Sequence, residues 1–155
     1  MKVLIAALLC LLVPSVAFAA DNGYKVVYDG GSLQGVKAGN KMQVVIEPTQ
    51  VKLFRGSENL ATIPATSITE ISYGQDVHRR VGAAIGLAVV SLGVGALMAL
   101  TKSKKHFVGL TWANGKEKGG FAMQCDKNDY RGVLAGLEGI TGKKSVNSDT
   151  MSVKN

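Results

Sequence analysis

The stretch Arg79–Lys105 reads RRVGAAIGLAVVSLGVGALMALTKSKK, and its interpretation decides the fold. No charge interrupts residues 81–101, while Arg79 and Arg80 close one end and Lys102, Lys104 and Lys105 close the other. As one helix, these 21 residues would reach about 31 Å, enough for the hydrocarbon core of a bilayer. Gly82 and Gly86 form a G-x-x-x-G pair, and Ala84, Ala88, Ser91, Gly95 and Ala99 continue a stripe of small residues. Such a stripe lets a second helix approach closely inside a membrane.

Two routes through lipid follow. In a single span, the lysine-rich side stays in the cytoplasm, and residues on either side of the run fall in different compartments. Each half would then expose unpaired sheet edges. In a helical hairpin, the turn lies at Ser91-Leu92-Gly93-Val94-Gly95, each arm is about 15 Å long, and both basic flanks sit at one interface. The hairpin is preferred because it keeps a single core. A buried soluble helix is disfavoured, because a domain of this size could scarcely cover so long an apolar run.

The flanks alternate as strands do. Met42, Val44 and Ile46 point one way, Pro48-Thr49 turns, and Val51 and Leu53 resume the alternation. Leu60–Ile63 and Ile68–Tyr73 read as further strands, and Tyr24–Tyr28 with Leu33–Val36 read as a hairpin around Gly30-Gly31. Beyond the apolar run, Val108, Leu110 and Trp112 alternate, Asn114-Gly115 turns, and Phe121, Met123 and Cys125 share a face. The period then becomes helical at Tyr130, Val133, Leu134, Leu137 and Ile140, with Asp126 and Asp129 at the start and Gly139 or Gly142 at the stop. The expected class is α+β: a strongly bent, mostly antiparallel sheet of about seven strands, one C-terminal capping helix, and an inserted hydrophobic helix or helical hairpin.

Residues 61–74, ATIPATSITEISYG, with the closing segment Gly120–Gly142, resemble bacterial pleckstrin-homology-like or GRAM-like domains. The resemblance covers residues 24–142 and implies a bent seven-stranded sheet capped by a helix. It also implies a binding or scaffolding module and no catalysis. No basic phosphoinositide signature carries over residue by residue.

The N-terminal residues read as a leader. Lys2 precedes an apolar core at 3–13 too short to span a bilayer, and Ala17-Phe18-Ala19 has the small-x-small form of a cleavage site. Cleavage after Ala19 removes one of the 18 basic residues and none of the 11 acidic ones, so the product stays basic. Leu9 before Cys10 does not suit lipid attachment, and Cys125 becomes the one remaining thiol, so no intramolecular disulfide is expected. The reading divides the chain into a signal peptide at 1–19, a β-domain at 20–142 interrupted by the membrane segment 79–105, and a polar, disordered tail at 143–155.

The basic residues gather at the ends of the apolar run instead of interleaving with aromatics, so nucleic acid is not an expected partner. Arg79, Arg80, Lys102, Lys104 and Lys105 suit lipid phosphates. Membrane lipid is the expected partner, together with further copies of the chain or another envelope protein. The expected location is the extracytoplasmic face of the envelope. No cofactor is expected. Asp76, His78 and His106 flank the run and form a weak candidate metal set. Cys125 reads as a small core hydrophobe, no serine lies in G-x-S-x-G, no G-x-x-x-x-G-K-[ST] occurs, and an enzyme is not expected. The leading expectation is a non-catalytic, membrane-attached exported module. The alternative is an oligomeric assembly of single-span helices packed through the small-residue stripe, with a pore-like arrangement as one form.

Overall fold

The computed structural model describes residues 23–86 and 105–151. The expected leader, the turn at 91–95, Ala88, Ser91, Gly95, Ala99, Lys102 and Lys104 lie outside the described residues.

Among the described residues the fold is α+β, with an eight-stranded, mostly antiparallel sheet and two α-helices. The strands are β1 Gly23–Gly31, β2 Lys41–Glu47, β3 Gln50–Arg55, β4 Glu58–Pro64, β5 Ile68–Tyr73, β6 His106–Asn114, β7 Glu117–Cys125 and β8 Val146–Asn147. Helix α1 spans Val77–Ile85 and α2 spans Tyr130–Thr141. The order across the sheet is β4-β3-β2-β1-β7-β6-β5-β8. Two meanders, β1 to β4 and β5 to β7, therefore join edge to edge through the pairing of β1 with β7.

Alternation sorts the side chains between two faces. One face carries Val26, Tyr28, Met42, Val44, Val51, Leu53, Ile71, Val108, Leu110, Phe121 and Met123, all buried. Helix α2 lays Val133 and Leu137 onto this main core. Gly142, in the left-handed conformation at φ 68°, ends the helix, and its N–H reaches the carbonyl of Glu138. The opposite face holds a smaller cluster of Val77, Val81, Phe107 and Ala122 under α1.

Several expectations are corrected. The sheet has eight strands where about seven were expected, because β8 adds a short parallel pair with β5. The tail is not disordered throughout: residues 145–149 return to β5, and Ser148 gives its N–H and hydroxyl to the carbonyl of Tyr73 at 2.8 and 2.9 Å. Backbone pairing outweighs the polar composition there. Gly30-Gly31 is not a hairpin turn. β1 runs through both glycines beside β7, past a bulge at Tyr28/Gly30, and β2 follows a loop at 32–40. A Cβ on Gly31 would lie 2.3 Å from the carbonyl oxygen of Gly120, so glycine serves close strand approach at this position.

Candidate functional site: the base of the apolar insertion

The apolar run is inserted in what would otherwise be the β5–β6 hairpin. β5 and β6 pair antiparallel from Ile68↔Trp112 to Tyr73↔Val108. The chain therefore leaves the sheet at Tyr73 and re-enters beside it at His106. Gln75 Nε2 donates to the carbonyl of Lys105 at 2.7 Å, tying the departing and returning strands together.

The first residues after β5 are held by the C-terminal segment at Ser148 and Asp149. Gly74 adopts φ +126°, and a Cβ there would lie 2.5 Å from Ser148 Oγ and 2.6 Å from Asp149 Oδ1. Asp149 Oδ1 accepts the N–H of Gln75 at 2.6 Å and that of Asp76 at 3.3 Å. A carboxylate at this position sits at the positive end of α1 and satisfies backbone donors ahead of the helix. The C-terminal residues thus form a collar around the point where the insertion begins.

Helix α1 lies close on the sheet because two strand positions beneath it, Gly109 and Gly120, lack side chains. A Cβ on Gly109 would meet Val77 Cγ1 at 2.5 Å, Ser72 Oγ at 2.6 Å and Val81 Cγ2 at 2.8 Å. One on Gly120 would lie 3.0 Å from Val81 Cγ1. These glycines open a shallow trough into which the two valines of α1 press. Arg80 reaches Glu70 on β5 with two parallel contacts, Nε to Oε1 at 2.5 Å and Nη2 to Oε2 at 2.8 Å. This fork geometry adds direction to the attraction, and the Glu70 carboxylate raises the pKa of the guanidinium. His78 Nδ1 sits 3.5 Å from Asp29 Oδ2, whose side chain is only 5% exposed. That distance exceeds an ordinary hydrogen bond, and the nitrogen has no closer acceptor. The contact is electrostatic. The neighbouring Asp29 carboxylate raises the pKa of His78 in spite of its partial burial.

This geometry rearranges the sequence-based site. The run is not one helix from 81 onward: α1 starts at Val77 and stops at Ile85, where Gly86 turns left-handed at φ 69°. Gly86 is a helix terminator, and Gly82 is buried within α1, so the G-x-x-x-G pair is not the start of a continuous helix-packing face. Ala84 is exposed on α1. Arg80 is committed to Glu70 and does not stand free as a lipid anchor, whereas Arg79 is exposed. Lys105 is half-buried at the return point.

The weak metal set is not brought together. His78 faces Asp29 on the α1 face, whereas His106 stacks on Tyr130 at 4.0 Å between ring centroids, on the face of α2. The sheet separates the two imidazoles, because His106 is in phase with Val108 and Leu110. Cys125 is buried in the main core, and burial pushes its thiol up to about 12, with Asp129 adding to the effect. A thiol so rarely ionised is a poor nucleophile. The contributions of Asp29, Glu70, Gly109, Gly120 and Asp149 were missed in the sequence. Their partners lie on other elements, from ten residues away for Glu70 and Arg80 to 73 for Asp149 and Asp76, beyond any local spacing rule.

No protein-family model matches the chain, and no curated protein matches it.

Proposed function

We propose that the chain is a non-catalytic, exported module that attaches to a membrane through the insertion at its β5–β6 connection and serves as a binding or scaffolding unit. One observation carries this reading: β5 and β6 pair in register on either side of the apolar run. A single crossing between them would place paired strands on opposite sides of a bilayer. A segment that enters and leaves by one face leaves the sheet whole.

Length supports the same reading. With α1 docked and ended at Gly86, residues 87–101 remain as the uncharged stretch. As a helix, fifteen residues would reach about 22 Å, short of the roughly 30 Å hydrocarbon core. No helix among the described residues is long and apolar enough to cross a membrane. Arg79, Lys102, Lys104 and Lys105 flank the stretch as interfacial cations, and anionic lipid is the partner their charge favours. The stripe continuing through Ala88, Ser91, Gly95 and Ala99 would pack the arms of such a segment, or copies of it, together. The sheet order, with α2 following β7, also supports the pleckstrin-homology-like resemblance, in which α2 would act as the capping helix.

The test is a topology map with a lipid arm. Single cysteines at Ser57 and Lys118, both exposed, are labelled in intact cells with a membrane-impermeant maleimide. Both should label equally before lysis, whereas labelling of one only after lysis overturns the reading. The protein should float with vesicles of phosphatidylcholine and phosphatidylglycerol. Val90→Asp with Leu92→Asp should abolish flotation while leaving Trp112 fluorescence unchanged. Complete release from membranes by alkaline carbonate would also overturn it.

A further inference from the structure

Helix α1 is fastened to the sheet by contacts of different kinds. The valine contacts are apolar, and Arg80 with Glu70 is a forked ion pair. The remaining one joins a carboxylate on β1 to an imidazole on α1, with Asp29 almost wholly enclosed. An enclosed carboxylate is tolerated only while it has a counter-charge, and removing that partner is strongly destabilising. Among the described residues, His78 is the one cation within ion-pairing distance of Asp29. Arg79 points to solvent, and Arg80 is held by Glu70 on the β5 side.

We propose that His78 and Asp29 form a proton-operated latch: protonated His78 holds α1 on the sheet, and loss of that proton loosens the helix without unfolding the main core. The charges around the imidazole can be named element by element. β1 contributes Asp29, and α1 itself contributes Asp76, which favours the proton, and Arg79, which opposes it. β5 contributes Glu70, already engaged by Arg80. Beneath α1, β6 and β7 contribute Phe107, Gly109, Gly120 and Ala122, none of them charged, and Lys118, in phase with Gly120 and Ala122 on β7, is exposed. Phe107 meets the imidazole edge to face at 6.5 Å, so the ring is held by packing in either protonation state.

The sign follows from the raised pKa of His78. The stabilisation is fully present below the ordinary imidazole value and is lost as pH rises through the higher folded value. α1 should therefore be most tightly docked under mildly acidic conditions and loosest under mildly alkaline ones. The main core, which uses neither group, should not respond. This latch acts within the domain and does not depend on membrane attachment.

The experiment reads the two faces separately in the full chain. Hydrogen exchange at the amides of residues 78–85, corrected for intrinsic rates, should lose protection between pH 6 and pH 9, by about tenfold for each unit by which the imidazole is raised. Amides of β2 and β3, and Trp112 fluorescence, should stay constant. His78→Gln and Asp29→Asn should each flatten the α1 response. NMR titration of the His78 ring in the native chain gives a second readout that needs no variant. An imidazole titrating at or below its ordinary value, or a full pH response persisting in His78→Gln, would overturn the latch.

Discussion

The two faces of the sheet are built from different materials. Under α2 the contacts come from large side chains: Phe121, Leu53, Ile63, Ile71, Leu110, Met123 and Leu137 are all fully buried. Under α1 they come from absences and charges, with Gly109 and Gly120 clearing space and Arg80–Glu70 and His78–Asp29 at the margins. Apolar burial contributes about 1.5–3 kcal/mol for each large side chain and is indifferent to pH. A glycine trough gives a close fit but little buried area, and its ion pairs respond to their surroundings. The α2 face is thus equipped to hold the domain together, and the α1 face to position one helix on it.

This contrast can be broken most forcefully from the α2 side. Phe121→Ala removes a fully buried ring in contact with Tyr28 and Trp112. It should lower global stability by about 3–5 kcal/mol, read as a fall in the urea midpoint with Trp112 as reporter. Gly109→Ala probes the other face. Its methyl must displace Val77, Val81 or Ser72, an overpacking penalty of about 1–3 kcal/mol. The loss should appear first as faster exchange at α1 amides, with a smaller change in the global midpoint. Should both variants lower α1 protection and the global midpoint in parallel, the two faces form one cooperative unit and the contrast fails.

Smaller effects sharpen the comparison. Arg80→Leu separates a partly exposed pair and should reduce α1 protection by about 1 kcal/mol or less after screening, with partial compensation at high salt. Tyr28→Phe should act in the opposite direction. The Tyr28 hydroxyl is buried, finds no hydrogen bond of ordinary geometry, and has its pKa raised by desolvation. Deleting it removes an unsatisfied group and should raise the urea midpoint slightly, by up to about 1 kcal/mol. A loss of stability there would mean that the hydroxyl has a partner in solution.

How much of this was legible depended on whether the signal was local. The alternation at Met42–Ile46, Val108–Trp112 and Phe121–Cys125 marked both the strands and the face turned to the main core. Val133, Leu134, Leu137 and Ile140 marked α2 through a period of their own. Helix α1 was hidden because its buried positions, Val77 and Val81, straddle the boundary between a polar stretch and the apolar run. Hydropathy averages across that boundary and assigns Val81 to the wrong element. The trough was hidden for a different reason: a glycine at a strand position has no apolar signature, and its importance lies in what crosses it. Asp149, 73 residues beyond Asp76, could be placed only once β8 had been paired.

The wiring of the sheet also sets an order of events during synthesis. The meander from β1 to β4 is complete when the chain has reached Pro64, but the free edge of β1 must wait for residues 121–125 of β7. The greasy run emerges between these two moments, while β5 still lacks β6 as a neighbour. The collar closes last of all, when Ser148 and Asp149 reach Tyr73 and Gln75. A nascent chain stalled before residue 106 therefore presents its most apolar stretch with no partner strand to anchor it. On the proposed membrane reading, insertion of that stretch would begin before the domain can fold around its base.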